Sequence, residues 1–319
     1  MNTEELKKLA NYTRRMREMG IALTATSILL ALFLFLPTTQ SVPGNQASNT
    51  SPGSLTSTAP DAFAKIAVEA KAAIVYDLVT GEALYEKNAD AQLPLASLTK
   101  LITVYAALTK LSLDTPITIP ANAIGLDGPH AFSAGQTFTL YDLARLTLTA
   151  SLNDGAVAIA TATGERTNLS QKDMLAGAIA SLGLSQTYAV NESGLDASAS
   201  VSGGYGSARD MASLAKALIE QAPTVVDATT MASVQAVSKD GKSFSVINTD
   251  TIIDTLPRLI LSKTGYTDLA GGNMALVFDA GISHPIAVIV LGSTMNSRFT
   301  DSYELVSATL AHFADIESL

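Results

Sequence analysis

The stretch from Gly271 to Ser293, GGNMALVFDAGISHPIAVIVLGS, holds two apolar runs, 274–278 and 286–291, split by a turn-rich connection. Short runs rich in Val and Ile between turn residues read as the two strands of a hairpin. A second pair stands near the other end of the domain, where residues 72–77 (AAIVYD) and 82–86 flank Leu78-Val79-Thr80-Gly81. Between the hairpins the pattern turns helical, with runs at 140–150, 154–163, 171–182 and 208–220, and a closing helix is expected over 300–313. Ser207 and Asp210 have the spacing of a capping box for the run that begins at Ala208. Strands at both ends and helices between them predict an α/β (α+β) fold, an antiparallel sheet closed by both ends of the domain with helices on its faces. No internal repeat is visible.

The sequence has 319 residues, 47% hydrophobic and 15% charged, enough for one large domain with a substantial core. Residues 61–319 carry 15 basic against 26 acidic side chains, a net charge of −11. Such a surface repels nucleic acid and anionic lipid, so neither is expected as a partner of the domain. The absence of cysteine excludes disulfides, thiolate metal sites, a cysteine nucleophile and a lipid-modified cysteine.

Residues 19–36, MGIALTATSILLALFLFL, form an uncharged run of 18 preceded by Arg14, Arg15 and Arg17. That length just spans a bilayer, and the basic flank orients residues 1–18 to the cytoplasm and everything after Leu36 to the outside. The run is long for a cleaved signal, and PTTQSVPG offers no Ala-x-Ala-like site, so a retained anchor is expected. Residues 37–60, rich in Ser, Thr, Pro, Gly and Asn, read as a flexible extracytoplasmic linker, and the folded domain is expected over 61–319.

Three short motifs carry candidate chemistry. Ser97-Leu98-Thr99-Lys100 heads an apolar run, Ser151-Leu152-Asn153 sits at a break between two helical patterns, and Lys263-Thr264-Gly265 ends an apolar strand pattern. Each alone has a plain structural reading: a helix start, a helix N-terminus, a strand entering a turn. Indeed Ser213-Leu214-Ala215-Lys216 repeats the first motif inside an expected helix, where it reads as surface decoration. The physical case rests on the combination. A serine hydroxyl needs a neighbouring base, and helical spacing of three puts Lys100 beside Ser97. A lysine serves as base only if burial and a second cation lower its pKa, and Lys263 is the natural second cation. Asn153 is expected to fix Lys100 by accepting a hydrogen bond, and Ser151 to relay a proton to the leaving amine. The Ser97 amide at a helix start is expected to bind an oxyanion, and Gly265 to let a substrate backbone lie close along the strand edge.

The ordered motifs, with AAIVYDLVTGEALYEKNADAQLPLASLTKLIT, LTASLNDGAVAIA, GSARDMASLAKAL and SKTGYTDLAGG around them, resemble the D-alanyl-D-alanine carboxypeptidases among the low-molecular-mass penicillin-binding proteins. The resemblance runs from about residue 72 to 313. It departs from the usual pattern at Leu152, where Gly or Asp is common, and at Gly206-Ser207, where Ser-Thr is common. It implies a β-lactamase/transpeptidase-like fold, about five strands flanked by helices with an all-helical subdomain. It also implies removal of a terminal D-alanine from peptidoglycan peptides ending in D-Ala-D-Ala, covalent inhibition by β-lactams, and no metal or organic cofactor. By resemblance, the second oxyanion donor is the Tyr266 amide, and Thr264 and Arg298 hold the substrate's terminal carboxylate. Many family members continue into a β-rich domain and an amphipathic C-terminal anchor; here the N-terminal run is expected to do the anchoring.

Rival chemistries lack their parts. There is no Gly-x-Ser-x-Gly elbow, and His130, His284 and His312 fall in a loop, a hairpin turn and the last helix, which suits neither a Ser-His-Asp triad nor a histidine metal site. A class A β-lactamase needs a deacylating glutamate, and Glu165, 12 residues beyond Asn153, reads as a helix end. A non-catalytic penicillin-binding or peptidoglycan-binding sensor is the rival of another class, and intact Ser97, Lys100, Asn153 and Lys263 argue against it. Arg209, in a helix's first turn, reads as a salt-bridge partner.

Overall fold

The computed structural model describes residues 61–281 and 283–317. The expected anchor and linker lie outside them. Among the described residues, no helix is long and apolar enough to cross a membrane. The strands are β1 (Ala72–Asp77), β2 (Ala83–Lys87), β3 (Leu93–Pro94), β4 (Pro116–Thr118), β5 (Thr137–Thr139), β6 (Tyr188–Ala189), β7 (Gly204–Gly206), β8 (Ser233–Val237), β9 (Ser243–Ile247), β10 (Leu259–Thr267), β11 (Gly271–Asp279) and β12 (Pro285–Ser293). The α-helices are α1 (Thr99–Leu108), α2 (Leu140–Ala150), α3 (Asn153–Thr167), α4 (Gln171–Ser181), α5 (Ala208–Gln221), the single turn α6 (Pro223–Val226) and α7 (Ser297–Glu317).

The main sheet has five strands in the order β10-β11-β12-β1-β2, every neighbouring pair antiparallel. Its two expected hairpins meet where Ile74 of β1 pairs with Ile289 of β12, so both ends of the domain share one sheet. Side chains alternate between faces along each strand. Ala72, Ile74, Val277, Ala287, Ile289 and Leu291 enter the core shared with α1 to α6, whereas Ala73, Val75, Leu276, Phe278, Val288 and Val290 pack with Phe63 and with Leu305 and Val306 of α7. A strand covered on both faces must be apolar at consecutive positions, which explains the unbroken runs in the sequence. Burying each such Val, Leu or Ile contributes roughly 1.5–3 kcal/mol.

The strands β11 and β12 reach nine residues each, longer than the apolar runs, because pairs such as Gly272 with Ser293 and Asp279 with Pro285 extend a ladder made by backbone groups. Helix α2 matches its expected bounds. Thr139 caps its start by accepting from the Asp142 amide, and Ser151 ends it in the left-handed region at φ 60°. Helix α3 outruns its expected end, continuing to Thr167 before a left-handed Asn168. The capping box at Ser207 is only half made: Ser207 Oγ accepts from the Asp210 amide at 3.1 Å, but the Asp210 carboxylate turns to the Gln186 amide and Thr187 Oγ1. Three small sheets, β3-β7-β6, β4-β5 and β8-β9, add strands that the sequence reading does not include.

Candidate active site

Ser97 lies in a 3₁₀ turn, Ala96–Leu98, that runs directly into α1. One turn on, Lys100 Nζ donates to Ser97 Oγ at 2.8 Å and to the Ser193 carbonyl at 2.8 Å. Ala96, just before the serine, is held in the left-handed region at φ 48°, a conformation that costs a non-glycine residue roughly 1–2 kcal/mol. Gly194 packs against it so closely that a Cβ there would stand 1.8 Å from the Ala96 carbonyl oxygen. The Asn191 side chain fixes that turn by accepting from the Ser193 and Gly194 amides.

The other two motifs converge from α2–α3 and from the outer strand of the sheet. Lys263 on β10 donates to Ser151 Oγ at 2.9 Å and to the Thr264 carbonyl at 2.7 Å. Thr264 Oγ1 shares a 2.6 Å hydrogen bond with Thr249 Oγ1. A Cβ on Gly265 would meet the Leu95 carbonyl at 3.0 Å and the Ser97 amide at 3.2 Å. The glycine thus lets β10 approach the nucleophile's own turn, and it keeps the space beside the Ser97 amide clear. Tyr266, 43% exposed, follows it on the same strand. Arg298, in the first turn of α7, donates from Nη1 to the Gly265 carbonyl at 2.7 Å, while its buried Nε has no partner.

Asn153 departs from expectation. Its Nδ2 donates to the Asp127 carbonyl at 2.6 Å, and Lys100 takes the Ser193 carbonyl as its second acceptor. The amide therefore ties α3 to the loop over residues 127–132. The Asp154 carboxylate secures the same loop by accepting from the Ala131 and Phe132 amides.

Electrostatics follow from dryness. Burial of the ammonium brings the Lys100 pKa from 10.5 to about 7, with Glu192 and Asp154 pulling the other way. Lys263 is pushed well below the ordinary lysine range, by burial first and then by the charges of Lys100 and Arg298, against the pull of Asp250. Burial is the first cause for both lysines, and the repulsion between the two ammoniums disfavours their carrying charge together. Burial also lowers Arg298, against the pull of the Asp250 carboxylate and the Tyr266 phenol.

The remaining candidates are occupied elsewhere. Ser213 Oγ donates to the Arg209 carbonyl and Lys216 Nζ to the Leu78 carbonyl, so the second Ser-x-x-Lys fastens α5 to the β1–β2 turn. Arg209 pairs with Asp90 at 2.8 Å and with Glu86. Glu165 is exposed on α3. His284 pairs with Asp77, His130 with the Gly128 carbonyl, and His312 packs between Phe63 and Phe313. Among the described residues no cluster of three His, Cys, Asp or Glu forms a metal site. Ser193, Thr249 and Asp250 belong to the site's surroundings yet stand in no motif of the sequence reading. The Asn-Glu-Ser-Gly run at 191–194 signals a turn, but nothing in the sequence places that turn at Lys100.

A family model described as D-alanyl-D-alanine carboxypeptidase (Peptidase_S11) matches residues 56–294. The D-alanyl-D-alanine carboxypeptidase DacF of Bacillus subtilis is 30% identical over 75% of this chain and 64% of its own length. For DacC of Escherichia coli the figures are 28%, 78% and 64%. The chain therefore spans just under two thirds of the length of these relatives. Among solved structures, penicillin-binding protein D2 from Listeria monocytogenes in its ampicillin-bound form superposes with a TM-score of 0.65 at 27% identity, covering 76% of this chain and 98% of that one. With its mixed fold and five-stranded antiparallel sheet, the chain belongs to the D-alanyl-D-alanine carboxypeptidase family, Peptidase_S11.

Proposed function

We propose that this chain is a serine-type D-Ala-D-Ala carboxypeptidase that removes the terminal D-alanine of peptidoglycan stem peptides through an acyl-enzyme on Ser97. The observation that carries this reading is the 2.8 Å hydrogen bond between Lys100 Nζ and Ser97 Oγ, made by a fully buried lysine. In its neutral form Lys100 accepts the Ser97 proton as Oγ attacks the carbonyl of the penultimate D-alanine. The amides of Ser97 and Tyr266 receive the oxyanion. As the intermediate collapses, the C–N bond breaks and Ser151, held by Lys263, gives its proton to the leaving amine and regains one from Lys100. Water then gives a proton to Lys100 and attacks the ester; Lys100 returns that proton to Ser97, and the shortened peptide leaves. Thr264 and Arg298 hold the terminal carboxylate of the substrate. A β-lactam opened by Ser97 keeps its leaving amine tethered, so the same chemistry makes a persistent ester.

The test is release of D-alanine from a peptide ending in D-Ala-D-Ala compared with the same peptide capped as an amide. The free acid should be cut much faster. No release from either peptide by protein that is folded would overturn the reading.

The location proposed for the enzyme is the cell membrane, with residues 1–18 cytoplasmic, 19–36 as a retained anchor, 37–60 as a tether and 61–319 as the catalytic domain outside. The uncharged run and its arginine flank support this orientation. Protease added to cells stripped of their outer layers should release a soluble domain by cutting within 37–60. Protection of that segment would contradict the topology, and a mature N-terminus near Gly44 would show cleavage instead of anchoring.

A further inference from the structure

The segment Asn248-Thr249-Asp250 runs beside β10 and grips it on both sides of Lys263. Thr249 Oγ1 meets Thr264 Oγ1 at 2.6 Å, and its amide donates to the Thr149 carbonyl at 3.2 Å, just before Ser151. Ser262 Oγ donates to Asp250 Oδ2 at 2.6 Å, and the Ile252 amide donates to Asp250 Oδ1 at 2.9 Å. Asp250 itself is 3% exposed. A buried carboxylate is costly unless it is hydrogen-bonded and compensated by charge. Burial raises the Asp250 pKa, and the Ser262 hydroxyl, the Ile252 amide and then the charges of Arg298 on α7 and Lys263 on β10 act against it. The other titratable groups facing these two are Lys100, which repels Lys263, and the Tyr266 phenol beside Arg298; Lys100 in turn faces Glu192 and Asp154.

We propose that Asp250 is a positioning residue of the site: through Ser262 it fixes the strand segment that presents Lys263 and Thr264, and its carboxylate is the counter-charge that lets Lys263 and Arg298 be cationic together. Lys263 stands in this dry region with two other basic groups, Lys100 and Arg298, acting on it. Without a negative charge behind them, the cheapest relief is loss of a proton from Lys263. That would weaken its bond to Ser151 and the attraction for a substrate carboxylate. The catalytic consequence rests on the peptidase reading above; the effect on Lys263 does not.

The experiment is a pH titration of the lysine side chains by NMR, following the ¹³Cε signal of Lys263, assigned by its loss in Lys263→Arg. Asp250→Asn keeps the size of the side chain and removes its charge, so Lys263 should release its proton about one pH unit lower than in the parent, the shift expected of a nearby opposite charge. Ser262→Ala removes a bond to the charged carboxylate and should move Lys263 the same way by less, which also serves if Asp250→Asn does not fold. In parallel, the rate of acylation by penicillin should lose its alkaline limb at correspondingly lower pH in Asp250→Asn, with the acid limb unmoved. A Lys263 titration that stays in place in the folded variants would overturn the proposal, leaving Asp250 as a cap of its own loop. Absence of acylation in the parent would instead sink the peptidase reading, while the NMR result still decides the role of Asp250.

Discussion

Lys263 Nζ donates to Ser151 Oγ across 2.9 Å, although 112 residues separate the two in sequence. The bond joins the outer strand of the sheet to the junction of two helices, so the proposed proton relay is a product of the tertiary fold. Removing either partner should therefore disable the same step. Ser151→Ala and Lys263→Ala should each slow acylation by penicillin by about 10²–10⁴-fold, and the double variant should be little worse than the slower single one. Stopped-flow or quenched acylation rates provide the cycle. Losses that multiply would mean the two act independently.

Lys100 sets the acid limb. Its proton must leave before it can accept another from Ser97, and burial brings its pKa to about 7. Acylation should thus rise about tenfold per pH unit below neutrality and level off once Lys100 is the free base, until loss of the Lys263 proton begins the alkaline limb. Lys100→Ala should lose most of the rate while retaining the fold, because it removes a buried cation along with the base. Acylation at the parent rate in Lys100→Ala would refute the role.

Arg298 holds the Gly265 carbonyl at 2.7 Å and is also the proposed partner of the substrate's carboxylate. Arg298→Ala should slow both the free-acid and the amide peptide by loosening β10. The acid should lose about ten- to a hundredfold more in kcat/KM, since a charge-assisted hydrogen bond contributes about 1.5–3 kcal/mol. Equal losses on both substrates would confine Arg298 to its structural bond.

Asp77 and His284 meet at 2.7 Å across the β1–β2 and β11–β12 turns. Burial would raise the Asp77 pKa, but the bonds from His284 and from the Thr80 and Val79 amides outweigh it and hold the carboxyl below its ordinary value. A folded pKa below the unfolded one gives stability that is present above the unfolded pKa of about 3.9 and lost as pH falls through the folded one. Asp77→Asn should therefore be less stable than the parent near pH 6, with the gap closing toward pH 2. Urea midpoints at the two pH values measure it; a gap that stays constant would show that the charge contributes nothing.

The sheet and the helix at 140–150 were legible because local signals and burial agree there: continuous apolar runs for doubly covered strands, Thr139 as cap, and a stop at Ser151. The hairpin of β8 and β9 carries its own signal, Asp240-Gly241 between alternating residues, and the sequence reading nevertheless omits it. Site residues within a motif were visible through spacing. Side-chain direction was not: Asn153 turns to the Asp127 carbonyl, and the second acceptor of Lys100 comes from Ser193, 93 residues away. Asp250 and Thr249 escaped for the same reason, since their partners Ser262 and Thr264 lie 12 and 15 residues on, beyond the turn at Ile253–Thr255, rather than one helical turn away.

The most direct test of the account is peptide mapping by mass spectrometry after incubation with penicillin. The chain contains two Ser-x-x-Lys sequences, and only Ser97 has the buried lysine at 2.8 Å; Ser213 Oγ bonds the Arg209 carbonyl, and Lys216 is spent on the Leu78 carbonyl. A single adduct on Ser97, with Ser213 unmodified, is the predicted result. An adduct on another residue, or none at millimolar drug, would contradict Ser97 as the nucleophile.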